Sequence, residues 1–459
     1  MKLTELPYRR NSADVFESLS GEPWAIFLDS GYPFIDSGRY DIMAARPYQT
    51  LTTCGEDTVI RDRNGARHSP ADPFQLVREA LGEGVENLSG MPFCGGALGY
   101  FAYDLGRRVE TLPQLAKRDL DMPDMAIGLY DWAVVVDHHK RRSWLIGQGR
   151  DPETERQWST LERLFTTPAP TRLARYQLQS PIRANMDQAV YTTAFNRIRE
   201  YIREGDCYQV NLAQRFEVDV QGDAWDIYLH LRKNNPAPFA SFFRPEGGGI
   251  MSCSPERFLS VQGGLVETKP IKGTIHRSAY AYEDKALAAQ LLESDKDRAE
   301  NLMIVDLLRN DLGKNCKTGS VAVPKLFALE SFATVHHLVS TVTGRLAKGR
   351  HAMDLLRGCY PGGSITGAPK LRAMQIIEEL EPHRRSVYCG AIGYVGFDGS
   401  MDTSIAIRTA VQHGGRVYYW AGGGIVWDSR AESEYEECFD KARAVLRLFE
   451  QEAIRDVGR

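Results

Sequence analysis

Three glutamates on two predicted helices could bind a metal ion. Glu434 and Glu437 are three residues apart near the start of the predicted final helix, so their side chains share a face. Glu300 closely precedes an apolar run on another predicted helix. Carboxylate oxygens are the ligands that Mg2+ prefers, and the ion usually keeps waters that a substrate carboxylate can replace. The alternative is three solvated helix faces, because the final helix carries further glutamates.

Lys272 is a candidate nucleophile. It lies between Ile271 and Gly273, just past a predicted strand. Burial in a dry site lowers the pKa of a lysine, and the neutral amine is then able to attack carbon. An exposed loop lysine fits the same pattern, so position alone leaves both interpretations open.

A glycine-rich turn at residues 362–370 leads into a predicted helix. The turn departs from the P-loop pattern, because Gly367 is followed by Ala-Pro instead of Lys-Ser or Lys-Thr. Backbone N–H groups at the helix start, together with Ser364, Thr366 and Lys370, favour an anion site. An ordinary helix cap is the alternative.

A second glycine-rich segment ends a predicted strand with Gly422, Gly423 and Gly424. Glycines at such a position let a ligand approach the backbone closely. Arg408 lies on the neighbouring predicted strand, where an unpaired charge inside a sheet would be unfavourable, so we expect it to meet a carboxylate. That carboxylate belongs either to a ligand or to the protein.

The elements that must position these residues are predicted from hydrophobic periodicity and turn signals. Strict alternation of strand and helix is absent, so the sequence predicts an α+β fold in which large antiparallel β-sheets pack as a sandwich with helices outside. Pro369 is expected in the first turn of its helix, where a missing N–H costs nothing. The predicted helices run from Asp72-Pro73 through Leu81, from Asp151-Pro152 through Leu164, and over 186–204, 297–309, 370–380 and 432–449. The predicted strands are 24–28, 132–136, 207–216, 240–244, 250–253, 257–261, 265–268, 386–397, 403–409 and 417–421.

The segment 166–182 contains three prolines and little periodicity, so it is predicted to be a connector. It separates an N-terminal part, residues 1–165, from a C-terminal part, residues 183–455, and we expect the two parts to fold together as one compact unit. With 459 residues, 43% of them hydrophobic, the chain is long enough to bury a sizeable core.

Composition argues against several partners. The net charge is −4, and the pairs Arg141-Arg142 and Arg384-Arg385 are predicted as solvated turns, so no nucleic acid partner is expected. The eight cysteines include no C-x-x-C pair, which favours free buried thiols over a zinc site. No apolar run reaches the roughly 18 residues of a membrane span, and no secretory signal is recognised. We therefore expect a cytoplasmic protein without a membrane partner.

Many short runs, in the same order along the chain, resemble the chorismate-utilising enzymes. Members of that family form anthranilate, 4-amino-4-deoxychorismate, isochorismate or salicylate from chorismate. The resemblance implies the fold of an anthranilate synthase large subunit. The matching runs in the C-terminal part are 254–258, 270–274, 300–311, 337–340, 362–370, 391–394, 407–408, 421–426 and 434–437. Weaker matches in the N-terminal part are 28–31, 39–41 and 95–104.

The resemblance implies a role for each matching residue. Glu256 would be the general acid that protonates the departing 4-hydroxyl of chorismate. Glu300, Glu434 and Glu437 would hold Mg2+, directly or through water, and the metal would bind the ring carboxylate. The residues implied to bind the substrate are Gly273, Thr274, His337, Lys370, Tyr394, Arg408, Gly422, Gly423 and Gly424.

Lys272 separates the reactions within this family. Members that form anthranilate or salicylate typically carry alanine at this position, and lysine implies amination at C4 instead. If Lys272 attacks C2 first, ammonia can then add at C4 and give 4-amino-4-deoxychorismate, the precursor of p-aminobenzoate in folate biosynthesis. Anthranilate formation is the alternative. Gln209 stands where the hydrolytic relatives carry a lysine base, which disfavours isochorismate formation.

The resemblance also implies partners. No built-in glutaminase motif is present, so ammonia would come from a separate glutamine amidotransferase subunit in a heterodimer. A pocket for bound tryptophan is a further hypothesis, with Asp29 in place of the usual glutamate. A subunit that binds chorismate or tryptophan without turnover is a third alternative, which the intact set of Lys272 and the glutamates disfavours. The walls of the tryptophan pocket would be Ser30, Ser37, Gly38, Arg39, Tyr40, Pro238, Phe239 and Ala240.

Overall fold

Strands dominate the architecture. The computed structural model describes residues 1–167, 176–332 and 335–457, without the side chains of residues 444 and 448–457. Residues 168–175, within the predicted connector, lie outside the described residues. The strands are β1 Lys2–Leu6, β2 Ile26–Asp29, β3 Tyr40–Ala44, β4 Gln49–Cys54, β5 Asp57–Asp62, β6 Gly65–Ser69, β7 Gly96–Phe101, β8 Met125–Tyr130, β9 Trp132–Asp137, β10 Arg142–Gly147, β11 Tyr176–Leu178, β12 Arg183–Ala184, β13 Gln209–Gly222, β14 Phe239–Phe243, β15 Gly248–Ser254, β16 Arg257–Gln262, β17 Leu265–Thr268, β18 Ile271–His276, β19 Ala322–Ser331, β20 Val335–Arg345, β21 Gly367–Ala368, β22 Ala391–Gly396, β23 Met401–Ile405, β24 Thr409–His413 and β25 Arg416–Ile425.

Helices cover the outer faces of the sheets and connect the strands. Short 3-10 turns occur at Tyr103–Arg108 and Gly363–Ile365. The α-helices are α1 Ala13–Phe16, α2 Pro73–Leu81, α3 Pro152–Thr166, α4 Gln188–Glu204, α5 Ala224–Asn234, α6 Ala281–Glu293, α7 Asp295–Gly313, α8 Ala352–Cys359, α9 Lys370–Leu380 and α10 Ala431–Val457.

Two antiparallel sheets contain these strands. Within the described residues, the first sheet has the order β1-β10-β9-β3-β2-β14-β15-β24-β25-β13-β11, and β12 and β21 also pair with β13. The second has the order β18-β20-β17-β16-β23-β22-β7-β8-β4-β5-β6, with β19 paired to β20. Each sheet takes strands from both sides of residues 166–182, since β2 pairs with β14 and β7 pairs with β22.

The main core lies between the sheets. It combines Ile26 and Val135 of the first sheet with Leu98 and Tyr100 of the second. Successive residues of a strand face opposite sides, so Phe27, which follows Ile26, belongs to a second core under the helices of the outer face. The predicted α+β sandwich of large antiparallel sheets with helices outside is therefore confirmed.

The helix starts at the two Asp-Pro pairs are confirmed. The Asp72 carboxylate accepts a hydrogen bond of 2.9 Å from the backbone N–H of Phe74, and α2 begins at Pro73. Asp151 caps α3 in the same way. An aspartate cap satisfies N–H groups that have no partner inside the helix, and proline at the first position needs none.

The predicted strand 403–409 is wrong. β23 ends at Ile405 in the second sheet, and β24 begins at Thr409 in the first sheet. Arg408 lies between them with a φ of 53°, so it marks the crossover between sheets and is not inside a strand. The apolar alternation continues through the crossover because both ends are buried, which is why periodicity predicted one strand.

Two smaller predictions also need correction. Pro369 precedes the first residue of α9 and is not in the first helical turn. The Arg384-Arg385 pair is not a solvated turn, because Arg385 is only 2% exposed. Arg141 and Arg142 are exposed, as predicted.

The cysteines are free, and seven of the eight are buried, which confirms the expectation of free buried thiols. Cys54 is the exposed one. Among the described helices, none combines the length and the hydropathy that crossing a membrane would require.

Candidate active site

Lys272 lies on β18, where the strand departs from regular pairing with β20. Ile271 pairs with Val339 and Thr274 with His337, so the register shifts between Ile271 and Thr274. Gly273 has a φ of 86°, in the left-handed region that favours glycine. A Cβ atom at this glycine would lie 3.0 Å from the side chain at position 297 of α7, so the bulge brings Lys272 close to that helix.

The surroundings of Lys272 favour the neutral amine. Burial lowers the pKa of the half-buried lysine, and the nearby Lys441 ammonium acts in the same direction. The neutral form of an amine is the nucleophile. Carboxylates on three other segments oppose the effect without cancelling it, namely Glu300, Glu256 and Glu437.

Glu256 is a buried carboxyl group in the turn between β15 and β16, with 5% of its surface exposed. Its Oε1 accepts a hydrogen bond of 2.6 Å from the Ser364 hydroxyl, and its backbone carbonyl accepts one of 3.1 Å from Ile405 N–H. Burial raises the pKa of Glu256 to about 7, although Ser364 and Lys272 act to lower it. A carboxyl group with this pKa is a proton donor near neutral pH.

Two carboxylates of α10 face the glycine segment of β25. Glu434 is buried and accepts a hydrogen bond of 2.7 Å from the Ser429 hydroxyl, whereas Glu437 pairs with Lys441 at 2.6 Å. A Cβ atom at Gly423 would lie 3.1 Å from Oε2 of Glu434 and 3.7 Å from Oε1 of Glu437. Glycine therefore leaves the space in front of both carboxylates open.

Glu300 of α7 completes the acidic cluster. Burial raises the pKa of Glu300, and the Glu434 carboxylate raises it too, while Lys272 and Lys296 act to lower it. Lys296 Nζ also lies 3.7 Å from Oε1 of Glu434. Carboxylates that raise one another's pKa, as Glu434 does for Glu300 and Glu437 does for Glu434, favour a bound cation.

The donor set fits Mg2+ in its chemistry, because it consists of carboxylate oxygens with open space in front of them. Among the described residues, however, no three Asp, Glu, His or Cys side chains have the geometry of a metal site. Lysine ammonium groups contact two of the three glutamates. Direct binding by all three glutamates would therefore require these side chains to move, whereas binding through water would require less.

His337 and Arg408 lie beside this cluster. The Thr274 hydroxyl and Nδ1 of His337 are 2.8 Å apart. Burial lowers the pKa of His337 to about 4, and Arg408 contributes to the shift, so the imidazole is neutral at pH 7. Nη1 of Arg408 donates to the backbone carbonyl of Lys441 at 2.6 Å, and no hydrogen bond to the expected carboxylate is found among the residues that the structure describes.

The glycine segment packs tightly against β13. A Cβ atom at Gly422 would lie 2.3 Å from the Leu212 carbonyl oxygen, and one at Gly424 would lie 2.2 Å from Nε2 of Gln209. Gln209 is fully buried, and its Oε1 has no hydrogen-bond partner among the described residues. A larger residue at Gly422 would therefore displace the backbone of β13, and one at Gly424 would displace the Gln209 side chain.

Two predicted substrate-binding residues have other neighbours in this structure. Lys370 Nζ contacts Oδ2 of Asp311 at 2.5 Å and donates to the backbone carbonyl of Cys359 at 2.9 Å, so this ammonium already has protein partners. Tyr394 on β22 lines a different cavity, between the sheets. Tyr394 therefore borders the cavity between the sheets, whereas substrate binding by Lys370 stays a prediction.

The cavity between the sheets has a volume of about 300 Å³. Every residue predicted to line a tryptophan pocket borders it: Ser30, Ser37, Gly38, Arg39, Tyr40, Pro238, Phe239 and Ala240. The opposite wall includes Tyr394, Arg257 and Asp402 of the second sheet. Asp29, at the same cavity, accepts hydrogen bonds from Tyr228 at 2.9 Å and Arg232 at 2.6 Å.

Several contributors to the site escaped the sequence analysis. The sequence predicts Ser364 as an anion ligand, but its hydroxyl donates a hydrogen bond to Glu256. Lys441 and Lys296 also contact the acidic cluster, and no motif predicted them. A signal was present for both lysines, because Lys441 follows Glu437 by four residues on one helix and Lys296 precedes Glu300 by four on another.

A β-sandwich that holds a candidate nucleophilic lysine, a buried proton donor and an acidic cluster indicates an enzyme. The chain belongs to the chorismate binding enzyme family, whose model matches residues 25–447. The resemblance predicted from short runs of sequence is thereby confirmed.

Individual relatives narrow the comparison. The chain is 48% identical over 452 residues to aminodeoxychorismate synthase component 1 of Klebsiella aerogenes, covering 98% of this chain and 99% of that protein. It is 47% identical over 450 residues to the protein of the same name in Escherichia coli K12, covering 97% and 98%. Anthranilate synthase component I from Streptococcus pneumoniae TIGR4 superposes with a TM-score of 0.80 at 36% identity, covering 89% of this chain and 92% of that one. The predicted anthranilate synthase-like fold is confirmed.

Proposed function

We propose that this chain converts chorismate and ammonia into 4-amino-4-deoxychorismate, the precursor of p-aminobenzoate. The observation that carries the proposal is the Lys272 amine, whose pKa is lowered by burial, in electrostatic contact with the buried proton donor Glu256. The two relatives named aminodeoxychorismate synthase component 1 support it, since they match nearly the whole chain.

In the first step the neutral Lys272 amine bonds to C2 of chorismate. The ring double bonds shift, and the bond between C4 and its hydroxyl breaks. Glu256 transfers its proton to the departing oxygen, which leaves as water. The products are a lysine–substrate adduct and an ionised Glu256, and the raised pKa of this carboxyl group keeps the proton available at neutral pH.

In the second step ammonia bonds to C4. The double bonds shift back, and the bond between C2 and the Lys272 nitrogen breaks, so that the amine is restored. Glu256 takes the excess proton from the new ammonium group and returns to its starting state. Two displacements thus place nitrogen at C4, whereas direct attack of ammonia on C2 would lead to anthranilate.

Substrate binding is assigned to the segments around Lys272. We place Gly273, Thr274 and the neutral His337 on one side of the substrate, and the backbone of Gly422, Gly423 and Gly424, near the end of β25, on the other. We further propose that Glu300, Glu434 and Glu437 hold Mg2+, directly or through water. When bound, the ion would neutralise the ring carboxylate of the substrate.

We assign the supply of ammonia to a separate glutamine amidotransferase subunit. The name "component 1" of the relatives supports a partner component, and the chain carries no glutaminase motif. The free thiols support a reducing compartment, and we place the complex in the cytoplasm.

A direct assay tests the reaction. The purified chain is incubated with chorismate, Mg2+ and ammonium, and the products are separated with and without added aminodeoxychorismate lyase. Formation of p-aminobenzoate only when the lyase is present is the expected result. Fluorescent anthranilate would support the alternative, an anthranilate synthase component, and no turnover at all would support a binding subunit.

The cavity between the sheets supports a second proposal, which is bound tryptophan. Its size and its mixture of apolar and polar walls suit an aromatic amino acid, and all eight predicted wall residues border it. The test is chemical analysis of the small molecules released when the purified protein is denatured. An extract without tryptophan, from protein never exposed to competing ligands, would overturn this proposal.

A further inference from the structure

Arg385 is a fully buried charge that the proposed reaction does not use. Its guanidinium lies against two aromatic rings, 4.9 Å from the Tyr103 centroid and 5.9 Å from the Tyr388 centroid. Its charge is paired with Glu381, since Nε and Nη2 donate to the two carboxylate oxygens at 2.9 and 2.7 Å. A buried ion pair contributes little net stability, so stabilisation alone does not explain Arg385. Its structural role is better indicated by its two other hydrogen bonds, which go to backbone carbonyls.

Those hydrogen bonds join two backbone segments. Nη1 of Arg385 donates to the carbonyl of Ile365 at 2.9 Å, and Nη2 donates to the carbonyl of Asn211 at 2.9 Å. Ile365 ends the 3-10 turn between α8 and α9, and Asn211 lies on β13. Glu381 adds an anchor, because its Oε1 accepts a hydrogen bond of 2.9 Å from Ala213 N–H on the same strand. The pair thus fixes the turn relative to β13.

Ser364 lies in that turn, between the turn's other two residues. Its hydroxyl donates to Oε1 of Glu256 at 2.6 Å, and both side chains are buried. Its carbonyl accepts a hydrogen bond of 3.1 Å from the Asn211 side-chain amide. Arg385 holds the backbone of Asn211 and of the residue after Ser364, so it determines where the serine hydroxyl points.

We propose that Arg385 is a positioning residue that keeps the Ser364 hydroxyl on the carboxyl group of Glu256. The role of Glu256 as proton donor rests on the proposed function, whereas the hydrogen-bond geometry does not. Lysine could not replace the arginine, because a single ammonium cannot supply the planar fork that binds the carboxylate and two carbonyls together.

The expected consequence is a change in both the direction and the acidity of Glu256. The Lys272 amine on β18 acts to lower the pKa of Glu256, and Glu256 in turn acts to raise the pKa of the Cys389 thiol just before β22. The hydrogen bond from Ser364 stabilises the ionised carboxylate, so its loss raises the pKa of Glu256. The side chain is then also free to rotate away from the substrate.

Isotope-edited infrared titration measures this pKa directly, with Glu256→Gln used to identify the signal. Ser364→Ala is expected to raise the pKa of Glu256 by about 1, the scale of one hydrogen bond to a charged group. Arg385→Lys is expected to shift it in the same direction. The double variant should shift it no further than Ser364→Ala alone, because Arg385 acts through Ser364. Arg384→Lys, the same change one residue earlier, is the matched control and should leave the pKa unchanged.

Kinetics supply a second readout. Arg385→Lys and Ser364→Ala should lower kcat about tenfold with little change in KM, and should move the alkaline limb of the pH profile upwards. A folded Arg385→Lys chain with the wild-type pKa at Glu256 would overturn the proposal. If Arg385→Lys does not fold, Glu381→Gln is expected to shift the pKa less but in the same direction, and an unchanged value overturns it. The titration needs no substrate, so its failure is distinct from a failure to form 4-amino-4-deoxychorismate.

Discussion

The cavity between the sheets and the site around Lys272 differ in how their charged groups are satisfied. At the cavity, Arg257 pairs with Asp402 at 2.9 Å, and the Asp41 carboxylate holds the Ser30 hydroxyl at 2.7 Å. At the lysine site, by contrast, burial raises the pKa of Glu256 and lowers that of Lys272. In one region charged groups pair with each other, and in the other burial shifts the pKa values of Glu256 and Lys272 towards the proton-donating acid and the nucleophilic amine.

The difference suggests that the same β-sandwich uses paired charges for ligand binding at the cavity and groups with shifted pKa values for catalysis at Lys272. Paired charges give a rigid wall that can bind a ligand without changing state. Groups with shifted pKa values are typical of catalytic sites, because the shift makes them reactive near neutral pH. Substitutions around Lys272 should therefore change turnover, whereas substitutions at the cavity should change ligand binding.

Lys272→Ala should have the largest effect. We expect formation of 4-amino-4-deoxychorismate to fall on the order of 1,000-fold, the scale for loss of a catalytic group, with slow anthranilate formation in its place. Product analysis by chromatography measures both compounds. Lys285→Ala, at an exposed lysine of α6, is the control. Unchanged 4-amination in Lys272→Ala would remove the lysine from the mechanism.

Glu256→Gln should reduce kcat by about 100-fold or more, because glutamine cannot donate the proton. The wild-type chain should be active while Glu256 is protonated, and should lose kcat/KM as pH rises through about 7. The variant should lack this limb of the profile. Rates between pH 5.5 and 9 at saturating Mg2+ provide the test, and an identical alkaline limb in both proteins would contradict the assignment.

Removal of Mg2+ with a chelator should abolish turnover reversibly. Glu434→Gln should weaken Mg2+ binding about tenfold to 100-fold, the scale for disturbing a metal site, measured by calorimetry on the protein without substrate. Glu436→Gln is a matched control, because this glutamate is exposed on the same helix. Equal Mg2+ affinity in the two variants would place the metal elsewhere.

Gly38→Ala should have the smallest effect on catalysis and the clearest effect on the cavity. The added Cβ would lie 2.7 Å from the Ser30 carbonyl oxygen and 2.8 Å from its hydroxyl, so that wall must shift. We expect tryptophan retention to fall about tenfold, a loss of roughly 1.4 kcal/mol, with kcat nearly unchanged. Gly21→Ala, where nothing lies within 4 Å, is the control. A large loss of kcat with tryptophan retained would contradict the separation of the two regions.

Local signals predicted much of the fold. The caps at Asp72 and Asp151 and the hairpins of β14–β15 and β16–β17 depend on neighbouring residues, and the structure contains them. The crossover at Arg408 was not predicted. The sheet that each flanking strand joins depends on partners distant in sequence, and hydrophobic periodicity does not reveal those partners.

The site was less accessible to sequence reasoning than the fold. Position alone could not separate Lys272 from a surface lysine, and only the resemblance to a family did so. The hydrogen bond between Glu256 and Ser364 joins residues that are 108 positions apart, so no local sequence pattern predicts it. The prediction that Arg385 is solvated was wrong, because short basic pairs are usually exposed. Only the packing of the folded chain shows that Arg385 is buried.

Strands from the N-terminal part pair with strands from the C-terminal part, and this limits where the chain can be divided into fragments. A fragment ending near residue 167 would contain β2 and β7 without their partners β14 and β22, leaving two open sheet edges. Neither fragment made separately should be soluble, whereas a chain nicked between residues 167 and 176 after folding should stay assembled through both sheets. Most of the chain must therefore be synthesised before either sheet can contain all of its strands.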